Sequence, residues 1–461
     1  MRFLLLIPFL ALAACSTGHP ANNTTERRAT VSPTVLPPMK RFTSANISPP
    51  SRSNTEIARD FLDLAFKMES GRILPVMTRF EGPITLRVTG QAPASLEPDL
   101  KHLLGRLRAE AGISIRRVNA DTPANITIDV VSRAQLQRFV PQAACFVVPR
   151  ISSWAQYRKQ RRSSVTSWAS LKQRTQIAIF LPGDVSPQEV RDCLHEELAQ
   201  ALGPLNDLYR LPDSVFNDDN FQTVLTGFDM LILRAYYAPE MHNGMTRSQA
   251  AITLPRVLAR LNPRGQRIAT RPMTRPTPRS WIEAIETALG PKGTPVMRRK
   301  AARTAVMIAR NSGWNDTRLA FSLYALGRLS ITNKNDSAMH AFLNSSAIYS
   351  HRETRVQAAH VAMQLAAFSL SAGDGAKTLE LVNRNLPAVS DSKNAALLAT
   401  LLMIKAEALE LVGRASEAHA VRLDSLGWAR YGFGSDKAVR MRLAEISALA
   451  PIRVPDSMRN L

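Results

Sequence analysis

The spacing of apolar positions changes several times along the chain, and each change marks an element. An apolar run from Phe3 to Ala13 gives way to residues 17–55, which hold few large apolar side chains. From Glu56 to Met68 apolar residues recur at helical spacing, which predicts a helix opening the first folded domain. Strands are predicted at Ile84–Val88, Ile113–Val118, Ile126–Val131 and Gln176–Phe180, with an edge strand at Ala144–Val148 and an amphipathic helix at Leu96–Ala111. The stretch from Pro149 to Arg174 is polar, basic and punctuated by serine. Although Trp154 and Trp168 lie in it, it reads as a surface excursion. Ser186-Pro187-Gln188-Glu189 then starts a helix firmly, with Ser186 as N-cap, Pro187 at the first helical position and Glu189 completing a capping box. Gly203 and Pro204 end that helix.

The second half of the chain has a different rhythm. From Pro239 to Pro278 it is rich in Pro, Arg and Thr, with a short helix around Ser248–Leu261 and an exposed linker over Asn262–Thr277. Helical spacing resumes at Trp281–Leu289 and runs to about Tyr431, punctuated at Gly327, Gly373 and Gly413. Within it Leu319–Leu329 with Ala338–Tyr349, and Leu397–Val412 with Ala415–Trp428, resemble tetratricopeptide repeats, and Ala338, Ala406 and Ala418 suit close helix approach. The intervals between the glycines are unequal, so a non-repetitive helical bundle is the alternative. Such arrays offer a surface to a protein partner. No catalytic triad or phosphate loop is found in this region.

The leader changes the picture of location. A single Arg2, the short apolar run and small residues before Cys15 describe a secretion signal rather than a membrane span. Leu12-Ala13-Ala14-Cys15 resembles a bacterial lipobox, which implies acylation at Cys15, and Ser16 after it implies an outer-membrane lipoprotein facing the periplasm. An ordinary cleaved signal with a chance cysteine is the alternative. Residues up to 55 read as a flexible tether that attaches the protein to the membrane through its lipid anchor. The formal charge of +22 is spread along the chain, with clusters at Arg158-Lys159-Gln160-Arg161-Arg162 and Arg298-Arg299-Lys300. In an exported protein this charge points to an anionic lipid or envelope polymer, or simply to solvated basic faces, and no nucleic-acid partner is expected. In an oxidising compartment Cys145 and Cys193 are candidates for a disulfide, with a reactive Cys193 near a helix N-terminus as the alternative.

The chemistry gathers in Asp192–Asp207, D-C-L-H-E-E-L-A-Q-A-L-G-P-L-N-D. It resembles the active-site helix of the metzincin metalloproteases, in which H-E-x-x-H is followed by a helix-breaking Gly and, three residues on, a third ligand. That frame falls on Glu196, Glu197, Gln200, Gly203 and Asn206, so every imidazole is replaced. The likeness continues: Asp213–Asp218 occupies the turn that passes below the metal, with Phe216 at the methionine position, and Leu225–Tyr237 resembles the closing helix, with Asp229 early in it. The order E-E-L-x-Q-x-L-G-x-x-N-D, then S-x-F-N-D, is identified as that of a bacterial lipoprotein family of unknown function. The resemblance implies an α+β zincin-like domain, a twisted sheet backed by helices, followed by the all-α repeat-like domain. The expected division is a signal peptide at 1–14, the tether at 15–55, a degenerate metzincin-like domain at 56–245, a helix and linker at 246–280, helical repeats at 281–435 and a C-terminal segment at 436–461.

A catalytic zinc takes neutral imidazoles or thiolates and keeps a position for water. Glu196, Gln200 and Asn206 offer one carboxylate and two amide oxygens, a set suited to a hard cation if to any ion. No cofactor is expected, and zinc least of all. His195 begins an H-E-x-x-H register that fails at Ala199, so it reads as a helix residue near the edge of the core. The cleft residues Glu196, Glu197, Gln200, Asn206 and Asp207 can satisfy one another as a buried polar network. Three readings follow. The first is a binding or scaffold lipoprotein on a protease-like frame. The second is a metal-dependent peptidase or cell-wall hydrolase with Glu197 as general base. The third makes the basic surface primary and the cleft vestigial.

Overall fold

A computed structural model of the chain describes residues 35–42, 48–272, 276–331, 335–350 and 352–451, so the leader and Cys15 lie outside the described residues. Two compact units are present: among the described residues one takes in 48–185 and 189–279, the other 280–451 with Ser186–Gln188 and residues 35–42. Among the described residues no helix is long and apolar enough to cross a membrane.

The first unit opens with α1, Asn54–Ala65, whose N-cap Ser53 and Glu56 form a reciprocal capping box. Its apolar residues Ile57, Phe61, Leu64 and Ala65 recur at helical spacing and are buried. The residues just before α1, expected to be tether, belong to this unit: Arg52 is buried and its Nη1 donates to Asp60 at 2.8 Å.

Five strands form one sheet: β1 Ile84–Gly90, β2 Ile115–Arg117, β3 Ile126–Val131, β4 Phe146–Pro149 and β5 Ile177–Pro182, in the order β2-β1-β3-β5-β4. Four strands pair in parallel, and β4 runs antiparallel to β5 at the edge. Helix α2, Leu96–Arg106, continues as a π-helical turn over Leu107–Ala111 and supplies the crossover from β1 to β2.

Both faces of the sheet are covered, which is why β5 is buried at every position. Ile177, Ile179 and Leu181 point into the main core with Ile126, Ile128 and Val130 of β3. Ala178 and Phe180 point the other way, into a second cluster with Phe146, Val148, Trp154 and Tyr157. That second cluster corrects the surface excursion expected over Pro149–Arg174. After α3, Arg133–Phe139, and β4, the segment forms α4, Trp154–Gln160. Asp129 in β3 accepts the Trp154 amide at 2.7 Å, and the Trp154 ring meets Phe180 edge-on. Serines and arginines outnumber the apolar residues there, but two aromatic side chains suffice to close a small face.

Helix α5, Pro187–Leu202, is the helix predicted from the capping signal, and α6, Gly227–Tyr236, and α7, Arg247–Leu261, follow it. The expected linker after α7 is pinned at Asn262 and at Arg271. Asn54 donates to Leu258 O and Asn262 O at 3.1 and 3.0 Å, and Arg271 pairs with Glu56 at 3.0 Å.

The second unit is all-helical. Its described helices are α8 Arg279–Leu289, α9 Pro295–Asn311, α10 Thr317–Ser330, α11 Asn335–Ile348, α12 Arg355–Ser371, α13 Gly375–Asp391, α14 Ala395–Leu411, α15 Ala415–Phe433 and α16 Asp436–Ser447. Helix α16 lies in the stretch expected to be a C-terminal segment, and its Val439, Leu443 and Ile446 join the core of α12–α15. Gly373 and Gly413 stand in turns with φ of +79° and +81°. Gly327 does not: it lies inside α10, where a Cβ would come within 2.7 Å of the Phe342 ring on α11. Ala338, Ala406 and Ala418 are fully buried. Residues 35–42, expected to be tether, belong to this unit as well, with Leu36 in its core.

Candidate functional site

The site is organised around α5, whose C-terminal end is held by side chains. The last carbonyls of a helix lack intrahelical partners and must be satisfied some other way when buried. Ala199 O accepts the Gly203 amide at 3.1 Å. Gln200 O and Ala201 O accept Arg174 Nη1 at 2.5 and 2.8 Å, and Arg174 Nη2 donates to Gly203 O. Leu202 O accepts the Tyr237 hydroxyl at 3.0 Å. Every carbonyl of the last turn is therefore paired. Arg174 is 2% exposed, and burial lowers its pKa from the ordinary value, with Tyr236 and Tyr237 opposing the shift. A cation at this end also meets the negative pole of the helix. Its Nε donates to Thr78 at 3.2 Å, and the guanidinium lies 5.0 Å from the Trp168 ring centroid.

Gly203 is not in the left-handed conformation that a helix-ending glycine often adopts. Its role is space: a Cβ there would stand 3.0 Å from the Tyr236 ring. The chain then leaves toward α1. Leu205 N donates to Leu64 O at 3.1 Å and Asn206 Nδ2 to Asp63 O at 2.9 Å. Arg210 bridges Asp60 and Asp63 at 2.8 and 2.9 Å.

The turn at Asp213–Asp218 is fixed by one carboxylate. Asp229, in the first turn of α6 and fully buried, accepts Ser214 Oγ at 2.6 Å, Val215 N at 3.2 Å and Thr226 N at 2.8 Å. Burial raises its pKa, and these hydrogen bonds oppose the shift. Phe216 is fully buried, and its amide donates to Ser214 Oγ at 3.0 Å. Asn217 donates to Leu211 O and Asp219 at 2.9 and 2.8 Å, closing the loop on itself. Arg52 pairs with Asp213 and lies 4.1 Å from the Phe228 ring centroid, so the turn is tied to the start of the domain.

Of the residues singled out in the sequence, Glu196, Glu197 and Gln200 lie on adjacent turns of α5 and are 8, 1 and 6% exposed. Gln200 Nε2 is buried without a hydrogen-bond partner among the described residues. Asp207 is half-buried. His195 lies deep in the fold rather than at its edge: it is 3% exposed, and its Nδ1 accepts the Leu225 amide at 3.2 Å. Burial, aided by Arg191, Arg106 and His102, holds its pKa well below 6.5, so the ring is neutral. Cys193, on the same helix, is joined to Cys145 by a disulfide with a Cα–Cα distance of 6.0 Å.

Sequence reasoning missed Arg174 and Arg52. The first sits at the end of a polar basic stretch and the second in a segment of tether-like composition, so neither carried a local signal. Among the described residues, no group of three or more His, Cys, Asp or Glu side chains is arranged to hold a metal ion.

Neither a curated protein nor a solved structure matches the chain. A family model does match residues 54–256, from the first residue of α1 to within α7, and its description is "Protein of unknown function (DUF2927)". The chain thus carries a DUF2927 domain of unknown function, followed by a helical region.

Proposed function

We propose that the chain is a cell-envelope lipoprotein, anchored at Cys15, in which a metzincin-like frame acts as a binding or scaffold module without zinc catalysis. The observation that carries this reading is how the residues at the ligand positions are used. Asn206 is held by its amide nitrogen to Asp63 O and has only an amide oxygen left to offer, and His195, the one imidazole of α5, accepts the Leu225 amide in the interior. Glu196 and Gln200 add one carboxylate and one amide, and amide oxygens are weak ligands for zinc. These residues do not fit a catalytic zinc, and no step is derived through one.

The order of parts supports the frame itself: a sheet with a buried strand feeding a capped helix, a turn held by Asp229, and a closing helix. Glu197 keeps the general-base position but is 1% exposed, which favours a structural carboxylate over one that meets water and substrate. The helical region would present the module to other proteins, as arrays of packed helix pairs do.

The test is a screen of peptide and muropeptide substrates with several divalent ions, comparing the wild-type chain with Glu197→Gln. The expected result is no turnover above the variant. Turnover abolished by Glu197→Gln would establish the hydrolase instead.

A further inference from the structure

Residues 35–42, Val-Leu-Pro-Pro-Met-Lys-Arg-Phe, lie along α15 of the helical unit. Contacts are made at both ends and in the middle of the stretch from Leu36 to Phe42. Leu36 is 6% exposed, within the core of α12–α16. Pro37 O accepts Arg430 Nη1 at 3.0 Å, and the Lys40 amide donates to Gly427 O at 3.0 Å. The Lys40 ammonium pairs with Asp424 and lies 5.7 Å from the Trp428 ring centroid. Phe42 stacks on Trp428 with centroids 4.5 Å apart, and Lys393 Nζ lies 5.3 Å from the Phe42 ring centroid.

The receiving surface is cut for this chain. Asp424, Gly427, Trp428 and Tyr431 follow helical spacing and so share one face of α15. Gly427 is the feature hardest to explain otherwise, because glycine inside a helix costs about 1 kcal/mol relative to alanine. A Cβ on it would meet Lys40 Cγ at 3.0 Å and Pro38 O at 3.2 Å. The absent side chain makes room for backbone, as a peptide groove requires. The occupant is suited in turn, because Pro37-Pro38 favours an extended conformation before docking and so loses less entropy on binding.

We propose that this face of α15 is a docking site for an extended peptide of the form aliphatic-Pro-Pro-x-basic-x-aromatic, filled by residues 36–42 of the same molecule. The N-terminal segment is therefore clasped to the helical unit, and any free leash toward the membrane is counted from Leu36 rather than from α1. A partner segment of the same pattern must displace the clasp to bind.

Trypsin reads the clasp directly, because Lys40 and Arg41 are cleavage sites within it. In the full-length chain, cleavage after these residues is expected to be slow. It should accelerate on the order of tenfold in Gly427→Leu, the factor that corresponds to about 1.4 kcal/mol. Leucine is a good helix former, so α15 should persist in that variant, and an unchanged helical circular-dichroism signal at 25 °C checks this. Phe42→Ala should accelerate cleavage in the same direction without touching the helix. Equal cleavage rates in wild type, Gly427→Leu and Phe42→Ala would overturn the proposal. So would protection that disappears on dilution together with a fall in mass from two chains to one, which would mean that the segment is exchanged between copies.

Discussion

Buried polar side chains hold backbone groups of α5 and of the turn before α6 in place. Arg174 is the strongest case, because three carbonyls at the end of α5 depend on it. Arg174→Met keeps much of the volume and removes the donors, and should cost roughly 2–4 kcal/mol in urea unfolding. A loss below about 0.5 kcal/mol would mean that water or another group satisfies those carbonyls. His195 makes a prediction with a sign. Its pKa in the folded chain lies well below 6.5, so between that value and 6.5 the unfolded chain binds more protons. The contribution of His195 to stability is therefore complete above about pH 6.5 and is lost as pH falls, by up to ~1.4 kcal/mol per pH unit. His195→Gln can still accept the Leu225 amide but takes up no proton. Unfolding of the variant should depend less steeply on pH between 6.5 and 5 than that of the wild type, and equal slopes would place His195 in contact with water.

At the scale of elements, the disulfide between Cys145 and Cys193 links the segment before β4 to α5 across 48 residues of sequence. Closing a loop of that length removes chain entropy from the unfolded state worth about 4 kcal/mol at most. The pair Cys145→Ala, Cys193→Ala should lose roughly 2–4 kcal/mol, measured by denaturant unfolding without reductant. Wild type treated with reductant should fall to the level of the double variant. Most elements were legible because their signals are local. Ile126–Val131 is a strand as read, a helix covers most of Glu56–Met68, and the edge position of β4 followed from its short apolar run. The stretch from Pro149 to Arg174 was misread for the opposite reason. Its burial depends on Phe146 and Phe180, which belong to other strands, and no local pattern carries a contact of that kind. Gly327 was misread in the same way: the Phe342 ring that requires it comes from the next helix.

At the scale of the whole molecule, composition predicted two folded regions and a leader, and the boundaries moved where charged or proline-rich segments proved to be packed. Arg52 draws the residues before α1 into the first unit through Asp60 and Asp213, and Leu36 and Phe42 draw the earlier segment onto the second. A segment poor in apolar residues can still be ordered when a few side chains find prepared partners elsewhere, and its composition alone hides this. The candidate site was legible as a set of positions on α5. What those positions do was less so, because the partners of Asn206 and His195 come from α1 and from the residue before Thr226. We propose that a protease-like frame survives here without the means to hold its metal. Equilibrium dialysis of the purified full-length chain against zinc, followed by elemental analysis, tests it most directly. Substoichiometric zinc, unchanged by combining Glu196→Gln with Gln200→Ala, is the expected result. One zinc bound per chain and released by that double substitution would contradict it.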